Sequence, residues 1–210
     1  MPKQQNKEYT VCLLGPSKIG KTTLIYRQIY NTTRSAENYE ATLQDFYSQH
    51  CVIDGVIGHF LLLDTSGLRH YPGIRRLEIL TADAFILIFY SGDSKSCVFV
   101  KDIFKVIKSV RGDEAMLKIP IILLDNKHNR KESKAQNKVQ VNNSADMSSF
   151  STKIGAVLLE INLATEPEEI SRIFQAICFR EQRVNIDLTQ DVNEVEAEED
   201  SLIPKKCTIM

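Results

Sequence analysis

The sequence predicts an α/β fold in which a six-stranded, mostly parallel sheet carries helices on both faces and has one antiparallel strand at its edge. Two observations lead to this fold class. Short apolar runs alternate along the chain with segments of helical periodicity, as strands and helices do in parallel α/β sheets. Most of the runs are also too continuously apolar for a sheet with one face in water. The six runs are Thr10–Leu14, Phe46–Ile53, Gly58–Leu63, Ala84–Tyr90, Pro120–Leu124 and Ala156–Ile161.

Five segments between and after these runs have the spacing of amphipathic helices. The third has the clearest spacing, and Gly112, a common helix stop, follows it. Only the second and third strands lack a helix between them, and Asp54-Gly55 is a hairpin-turn signal that makes this pair antiparallel. The segment Asn129–Gln140, rich in Lys and Asn, is expected to be a solvated loop. The predicted helices are Lys21–Tyr30, Ile74–Leu80, Ser96–Val110, Ser144–Ile154 and Glu168–Glu181.

A glycine-rich loop joins the first strand to the first helix, which is the setting that a phosphate-binding P-loop requires. Its glycines let backbone N–H groups turn toward phosphate oxygens, while Lys21 supplies a positive charge and Thr22 a hydroxyl for Mg²⁺. The alternative is a glycine turn without a ligand, which the flanking strand and helix disfavour. The predicted nucleotide-binding residues of this loop and helix start are Gly15, Ser17, Lys18, Ile19, Gly20, Lys21, Thr22 and Thr23.

Composition limits the remaining possibilities. A chain of 210 residues with 43% apolar content can bury one core, and its last thirty residues are too polar to join it. The net charge of −1 argues against a nucleic-acid partner. The cysteines are scattered singly and no long apolar span occurs, which favours reduced thiols in the cytosol and excludes a transmembrane anchor. We expect one domain over residues 8–182 and an acidic flexible tail over residues 183–210.

Further motifs follow later strands. Asp64-Thr65-Ser66-Gly67 follows the third strand, and Asn126-Lys127 follows the fifth. With the P-loop, these motifs resemble those of the Ras superfamily of small GTPases, the first as its DxxG element and the second as half of its base-recognition element NKxD. The resemblance covers about residues 8–182. It also includes an effector loop formed by Tyr39, Glu40, Ala41, Thr42, Leu43, Gln44, Asp45, Phe46 and Tyr47.

The resemblance implies roles for these residues. Thr22, Thr42 and Asp64 would hold Mg²⁺, and the Gly67 N–H would sense the γ-phosphate. Tyr39 would also contact the nucleotide, and the base would be contacted from Asn126, Lys127, Asn129 and the backbone of Ala164. Each motif also has a plainer interpretation: Asp64 could cap a turn, Thr42 could be an ordinary loop threonine, and Asn126-Lys127 could be a solvated strand end.

Two residues depart from the family pattern where GTP is hydrolysed. Leu68 stands where Ras-like enzymes have the glutamine that orients the attacking water. Ser17 stands in place of a glycine, where a side chain obstructs an activating protein's arginine finger. We therefore expect very slow hydrolysis, with Lys21, Thr42 and Leu68 as the catalytic positions. The alternative is that another residue, such as His70, positions the water.

The base-recognition element also departs from the pattern. Asn129 replaces the aspartate of NKxD, and its amide places a donor where a carboxylate has only acceptors. Guanine preference should therefore weaken or shift toward xanthine, whose 2-oxo group accepts a hydrogen bond. No aromatic residue matches the one that braces the base, and Tyr30 is a candidate substitute.

The last four residues, Cys207-Thr208-Ile209-Met210, have the pattern of a CaaX box, and the final Met favours farnesylation of Cys207. A single prenyl chain usually needs a second signal for stable anchoring. The preceding tail offers only Lys205 and Lys206, so we expect weak, exchanging association with the cytoplasmic face of membranes and a partly cytosolic protein. The acidic residues of this tail are Asp187, Asp191, Glu194, Glu196, Glu198, Glu199 and Asp200.

These features predict a membrane-associated small GTPase that binds GTP or GDP with Mg²⁺. It would signal to effector proteins through its switch loops and be served by an exchange factor and an activating protein. The first alternative is a pseudo-GTPase, an interaction module that acts independently of hydrolysis, which Leu68 and Asn129 favour. A nucleotide kinase on the same P-loop is disfavoured, because no arginine-rich lid segment is evident.

Overall fold

The computed structural model describes residues 4–32, 42, 44–53, 56–67, 72–127, 134–163, 170, 173–174 and 176–177. These residues include a sheet of six strands in the order β2-β3-β1-β4-β5-β6. All neighbours pair in parallel except β2 and β3, so the predicted fold class, with its antiparallel edge strand, is confirmed. The strands are β1 (Gln4–Leu14), β2 (Gln44–Ile53), β3 (Val56–Thr65), β4 (Ala84–Phe89), β5 (Ile121–Asn126) and β6 (Val157–Ile161).

The helices agree with the predicted ones in type and approximate place. Helix α1 has the predicted bounds, and α3 ends at Arg111, directly before Gly112, whose positive φ of 82° favours glycine. Residues of 170–177 that the structure describes are helical, within the last predicted helix. The hairpin turn Asp54-Gly55 lies outside the described residues, although Ile53 and Val56 pair across it. The helices are α1 (Lys21–Tyr30), α2 (Pro72–Thr81), α3 (Ser94–Arg111), α4 (Asp113–Lys118) and α5 (Lys134–Ile154).

The helices differ from the prediction in two places. Helix α4 was not predicted, because it has only six residues and none of them is buried, so it leaves no apolar periodicity. Asp113 and Glu114 in its first turn suit the positive end of the helix dipole. Helix α5 begins at Lys134, inside the segment expected to be a loop, because residues such as Lys134 and Ala135 are good helix formers even without an apolar stripe.

The sheet separates two apolar clusters. On one face, Leu24 and Ile25 of α1 pack with Phe174 against the strands. On the other face, the buried residues of α2, α3 and α5 include Ile79 and Met147. Every residue of β4 and β5 is buried, as continuously apolar parallel strands require. This arrangement brings the carboxyl ends of β1, β3 and β5 to one edge of the sheet, where the predicted motifs lie.

Across the described residues, no helix combines the length and the apolar character needed to span a bilayer. Cys207 and the rest of the predicted tail lie outside the described residues. The division of the chain at residue 182 stays a prediction.

Candidate functional site

The loop of residues 15–20 connects β1 to α1 and shapes one end of the site. Gly20 has a φ of 110°, and a Cβ there would lie 2.7 Å from Nδ2 of Asn126, so glycine is required for both conformation and space. Ser17 and Lys18 are exposed, and Lys18 has a positive φ of 61°. Helix α1 begins directly after Gly20, so the N–H groups of its first turn face this loop and favour an anion.

Lys21 lies inside the loop rather than in solvent. Its side chain is buried, and its Nζ donates hydrogen bonds of 3.0 Å to the carbonyl oxygens of Gly15 and Pro16. Burial lowers the pKa of Lys21 to about 8, and the negative charge of Asp64 opposes this shift. The loop therefore holds an ammonium group whose neighbours are neutral carbonyls, a setting in which a phosphate would be a stronger partner.

Three oxygen-bearing side chains converge beside Lys21. The Thr22 hydroxyl donates to Asp64 Oδ2 at 2.5 Å, and the Thr42 hydroxyl donates to the same oxygen at 3.4 Å. The two hydroxyl oxygens are 3.3 Å apart. Thr22 comes from α1, Asp64 from the end of β3, and Thr42 from just before β2, so the fold brings together residues that are distant in sequence.

This set fits a divalent cation such as Mg²⁺. Oxygen ligands, including a carboxylate, are what Mg²⁺ takes in nucleotide sites. Asp64 is fully buried, and its Oδ1 has no hydrogen-bond partner among the described residues. Burial raises the pKa of Asp64, and the hydrogen bond from Thr22 opposes that rise. A buried carboxylate with one unsatisfied oxygen is the kind of group that a cation would stabilise.

The segment after β3 packs against the P-loop. A Cβ on Gly67 would lie 2.3 Å from the backbone nitrogen of Ser17, so only glycine permits this approach. Arg75 of α2 donates from Nη2 to the carbonyl oxygen of Ser66 at 3.0 Å and ties the helix to this turn. Leu68 and His70 lie outside the described residues, so the proposed hydrolytic defect stays a prediction.

Asn126 connects the predicted base end of the site to the P-loop. Its Nδ2 donates to the carbonyl oxygen of Ile19 at 2.9 Å, and its Oδ1 accepts a hydrogen bond from the Leu163 N–H at 3.4 Å. A nucleotide with its phosphates in the P-loop would therefore extend toward Asn126 and Lys127. Asn129 and Ala164, the other predicted base contacts, lie outside the described residues.

Lys127 is held by a network that the sequence did not indicate. Its Nζ is 2.8 Å from Asp125 Oδ2 and 3.5 Å from Glu160 Oε2, and it donates to the Ser91 hydroxyl at 3.2 Å. Burial alone would lower the pKa of Lys127, but the hydrogen bond and charge of Asp125, together with Glu160, outweigh it, so the pKa is raised. The one local feature of the sequence that could have indicated this network was the charge of Asp125 at the end of an apolar strand.

The described part of the predicted effector loop lies on the edge strand. Gln44, Asp45, Phe46 and Tyr47 belong to β2, and the Phe46 side chain is 58% exposed. Tyr39, Glu40, Ala41 and Leu43 lie outside the described residues.

Tyr30, considered as a brace for the base, has different neighbours. Its ring lies 5.3 Å from that of Tyr26, which lies 6.1 Å from Tyr47 on β2. These ring contacts place Tyr30 in an aromatic cluster with Tyr26 and Tyr47, and its role as a brace for the base stays a prediction.

Comparisons with known proteins agree with this geometry. A sequence model of the Ras family matches residues 10–182. The GTP-binding protein Di-Ras2 of Macaca fascicularis is 35% identical over 127 residues, which are 60% of this chain and 61% of that protein. The GTP-binding protein Di-Ras1 of Mus musculus is 33% identical, with 60% and 62% covered. The GTP-binding protein Rhes of Mus musculus is 32% identical, with 59% and 48% covered. The alignments thus span less than two thirds of each relative.

Proposed function

The chain belongs to the Ras family, and on that premise we propose that it is a nucleotide-dependent signalling switch that binds GTP and GDP with Mg²⁺ and hydrolyses GTP very slowly. The observation that carries this proposal is the convergence of Thr22, Thr42 and Asp64 beside the buried ammonium of Lys21. These groups come from three separate elements, and together they offer oxygens for a cation and a positive charge for phosphate.

In this proposal each residue binds or orients a ligand group. Lys21 exchanges its two carbonyl partners for phosphate oxygens, and the first-turn N–H groups of α1 donate to the same phosphates. Thr22, Thr42 and Asp64 hold Mg²⁺, which when bound neutralises charge on the phosphates. Because Thr42 contacts Thr22 and Asp64, and Gly67 packs against Ser17 of the P-loop, a γ-phosphate would bring both segments to one arrangement, giving the two states that a partner distinguishes.

We infer slow hydrolysis from the residues at the positions that normally orient the attacking water. Phosphoryl transfer depends on positioning and on charge stabilisation, and the side chain of Leu68 has no group that donates or accepts a hydrogen bond. Ser17 is exposed where the Gly67 turn meets the P-loop, so an arginine supplied by an activating protein would meet its side chain. The exposed Asp45 and Phe46 on β2 are the surface that effector proteins would contact.

The first experiment identifies the nucleotide that the purified protein retains, by chromatography of the heat-released ligand. We expect GTP or a mixture rich in GTP from the wild type and none from Lys21→Ala. Lys108→Ala, which removes an exposed lysine of α3 paired with Asp113, is the matched control and should retain the wild-type nucleotide. Retention of GDP alone would contradict slow hydrolysis, and an empty wild-type site that millimolar GTP does not fill would contradict the switch.

A pseudo-GTPase is the second candidate, and the pairing of Lys127 with Asp125 favours it together with Leu68 and Asn129. The two functions differ in whether the nucleotide changes the protein. Limited proteolysis of the GDP-loaded form and of the form loaded with a non-hydrolysable GTP analogue should show different cleavage near Thr42 and Gly67 in a switch. Identical patterns would favour the pseudo-GTPase.

We also propose that Cys207 carries a prenyl group and that the acidic tail keeps membrane association weak. A fluorescent fusion should divide between membrane and cytosol, and Cys207→Ser should move it to the cytosol. Cys178→Ser, a cysteine outside the CaaX pattern, is the control and should leave the distribution unchanged. Persistent membrane binding of Cys207→Ser would contradict the lipid anchor.

A further inference from the structure

We propose that Asp125 and Glu160 are positioning residues that hold the Lys127 ammonium away from the nucleotide, so that the chain releases guanine nucleotide faster than it would if Lys127 contacted the nucleotide. This inference rests on the proposed function. It concerns the base end of the same site and the rate at which the bound state is lost.

A nucleotide bound as we propose would meet Lys127. Asn126 contacts the P-loop directly, since its Nδ2 is 2.9 Å from the Ile19 carbonyl oxygen. Lys127 is the next residue, and its backbone N–H donates to the Ile161 carbonyl oxygen at 2.9 Å, which fixes the main chain at this strand end. A base or sugar that follows phosphates held in the P-loop therefore meets the side chain of Lys127 unless that side chain is directed elsewhere.

The protein itself supplies enough acceptors for this ammonium. A lysine Nζ has three N–H donors, and here three oxygens surround it, from Asp125 at 2.8 Å, Ser91 at 3.2 Å and Glu160 at 3.5 Å. Two of the three belong to carboxylates, which are stronger partners than a neutral sugar or base oxygen. No N–H of Lys127 is left for a ligand in this arrangement.

Asp125 cannot follow Lys127 toward a ligand. It is 1% exposed, and its Oδ1 accepts a hydrogen bond of 2.9 Å from the Ser91 N–H. Ser91 is fixed in turn, because its carbonyl oxygen accepts a hydrogen bond of 2.7 Å from the Asn143 side chain of α5. Moving Lys127 onto a nucleotide would leave a buried carboxylate without its counter-charge, which is a large cost in a protein interior.

The test is the dissociation rate of fluorescently labelled GDP in the presence of Mg²⁺. The double variant Asp125→Asn, Glu160→Gln keeps an acceptor for Ser91 and removes both charges that attract Lys127. We expect it to release the probe at least about tenfold more slowly than the wild type, the effect of one regained charge-assisted contact. Adding Lys127→Ala to the double variant should restore the fast rate, which a merely structural role of the carboxylates would not produce.

Two further variants complete the design. The Glu160 side chain is 55% exposed, so Glu160→Gln alone preserves the fold. Because a partly exposed ion pair contributes little free energy, this variant should slow release of the labelled GDP about twofold to threefold. Asp146→Asn removes the exposed carboxylate that pairs with Lys101 and should leave the rate unchanged.

The outcomes separate this inference from the proposed function. Release from the folded double variant and from Glu160→Gln at the wild-type rate or faster would overturn the positioning role while leaving the switch intact. A wild type and variants that all take up no labelled GDP at millimolar concentration would overturn the proposed function itself, and this inference with it.

Discussion

The phosphate end and the base end of the candidate site differ in how far the protein satisfies its own charges. At the phosphate end, Asp64 keeps one buried oxygen without a described partner, and the described hydrogen bonds of the Lys21 ammonium go to neutral carbonyls. At the base end, Lys127 and Asp125 satisfy each other within 2.8 Å. A phosphate and a cation would gain partners that the first end lacks, whereas a base would compete with partners that the second end already has.

This difference shows that the two ends of one site can depend on different physical features. The phosphate end depends on backbone geometry and on a few oxygens. The residues of the family motif are therefore sufficient to form it. The base end depends on which acceptors surround one lysine, and a single acidic residue such as Asp125 changes that balance. The following predictions test the contrast, beginning with the largest expected effect.

Lys21→Met should break the phosphate end. Because the variant removes a charge-assisted contact to phosphate, we expect the affinity for GDP to fall roughly 100-fold. The measurement is fluorescence titration with labelled GDP. Lys108→Met, at an exposed and distant position, should bind as the wild type does; equal loss in both variants would mean that Lys21 has no specific role.

Asn129→Asp should repair part of the base end. The carboxylate restores two acceptors for the Watson–Crick edge of guanine, so the ratio of GDP to XDP affinity should rise about 30-fold over the wild type. Competition titrations with the two nucleotides measure this ratio. A wild type that already prefers GDP strongly, with no change in the variant, would refute the assigned role of Asn129.

Asp64→Asn should weaken the cation contribution without removing the phosphate contacts. Chelation of Mg²⁺ is expected to reduce wild-type affinity for GDP about tenfold, and this dependence should nearly disappear in the variant, because a neutral amide is a poorer Mg²⁺ ligand. Titrations with and without chelator measure it. Asp146→Asn should keep the wild-type dependence; an Asp64 variant that also keeps it would place the cation elsewhere.

Glu78→Gln should act mainly on stability, with a smaller effect at the phosphate end through its charge interaction with Lys21. Burial raises the pKa of Glu78, with the charge of Arg75 opposing, so ionisation destabilises the fold as the pH rises through that pKa. At neutral pH the variant should be more stable by on the order of 1 kcal/mol, and the gain should vanish below the ordinary glutamate pKa of 4.5. Urea unfolding at both pH values measures this; equal gains at both would contradict an ionised, buried Glu78.

The fold was predictable wherever a local signal marks each boundary. The glycine loop and its strand fix the start of α1, and the continuously apolar runs of β4 and β5 indicate buried parallel strands. Helix α4 gave no such signal because it buries nothing. The motifs located Lys21, Thr22 and Asp64, but their mutual contacts required the fold.

The network around Lys127 was beyond sequence reasoning for a physical reason. Ser91 follows β4, Asn143 lies within α5 and Glu160 lies on β6, so no spacing along the chain indicates their meeting. Their contacts follow from strand order and from the packing of α5, which are properties of the assembled sheet.

The edge position of β2 has a consequence for local opening. Strands β1 and β4 have neighbours on both sides, whereas β2 pairs with β3 alone among the described strands, and its Asp45, Phe46 and Ser48 side chains are exposed. Among the described side chains of β2, the apolar clusters include only the partly buried Tyr47. Detaching β2 also breaks a single ladder, so its free energy of opening lies at the low end of the range for this sheet. The segment that we propose as the effector surface is thus the one that can fray and re-form while the central strands stay paired.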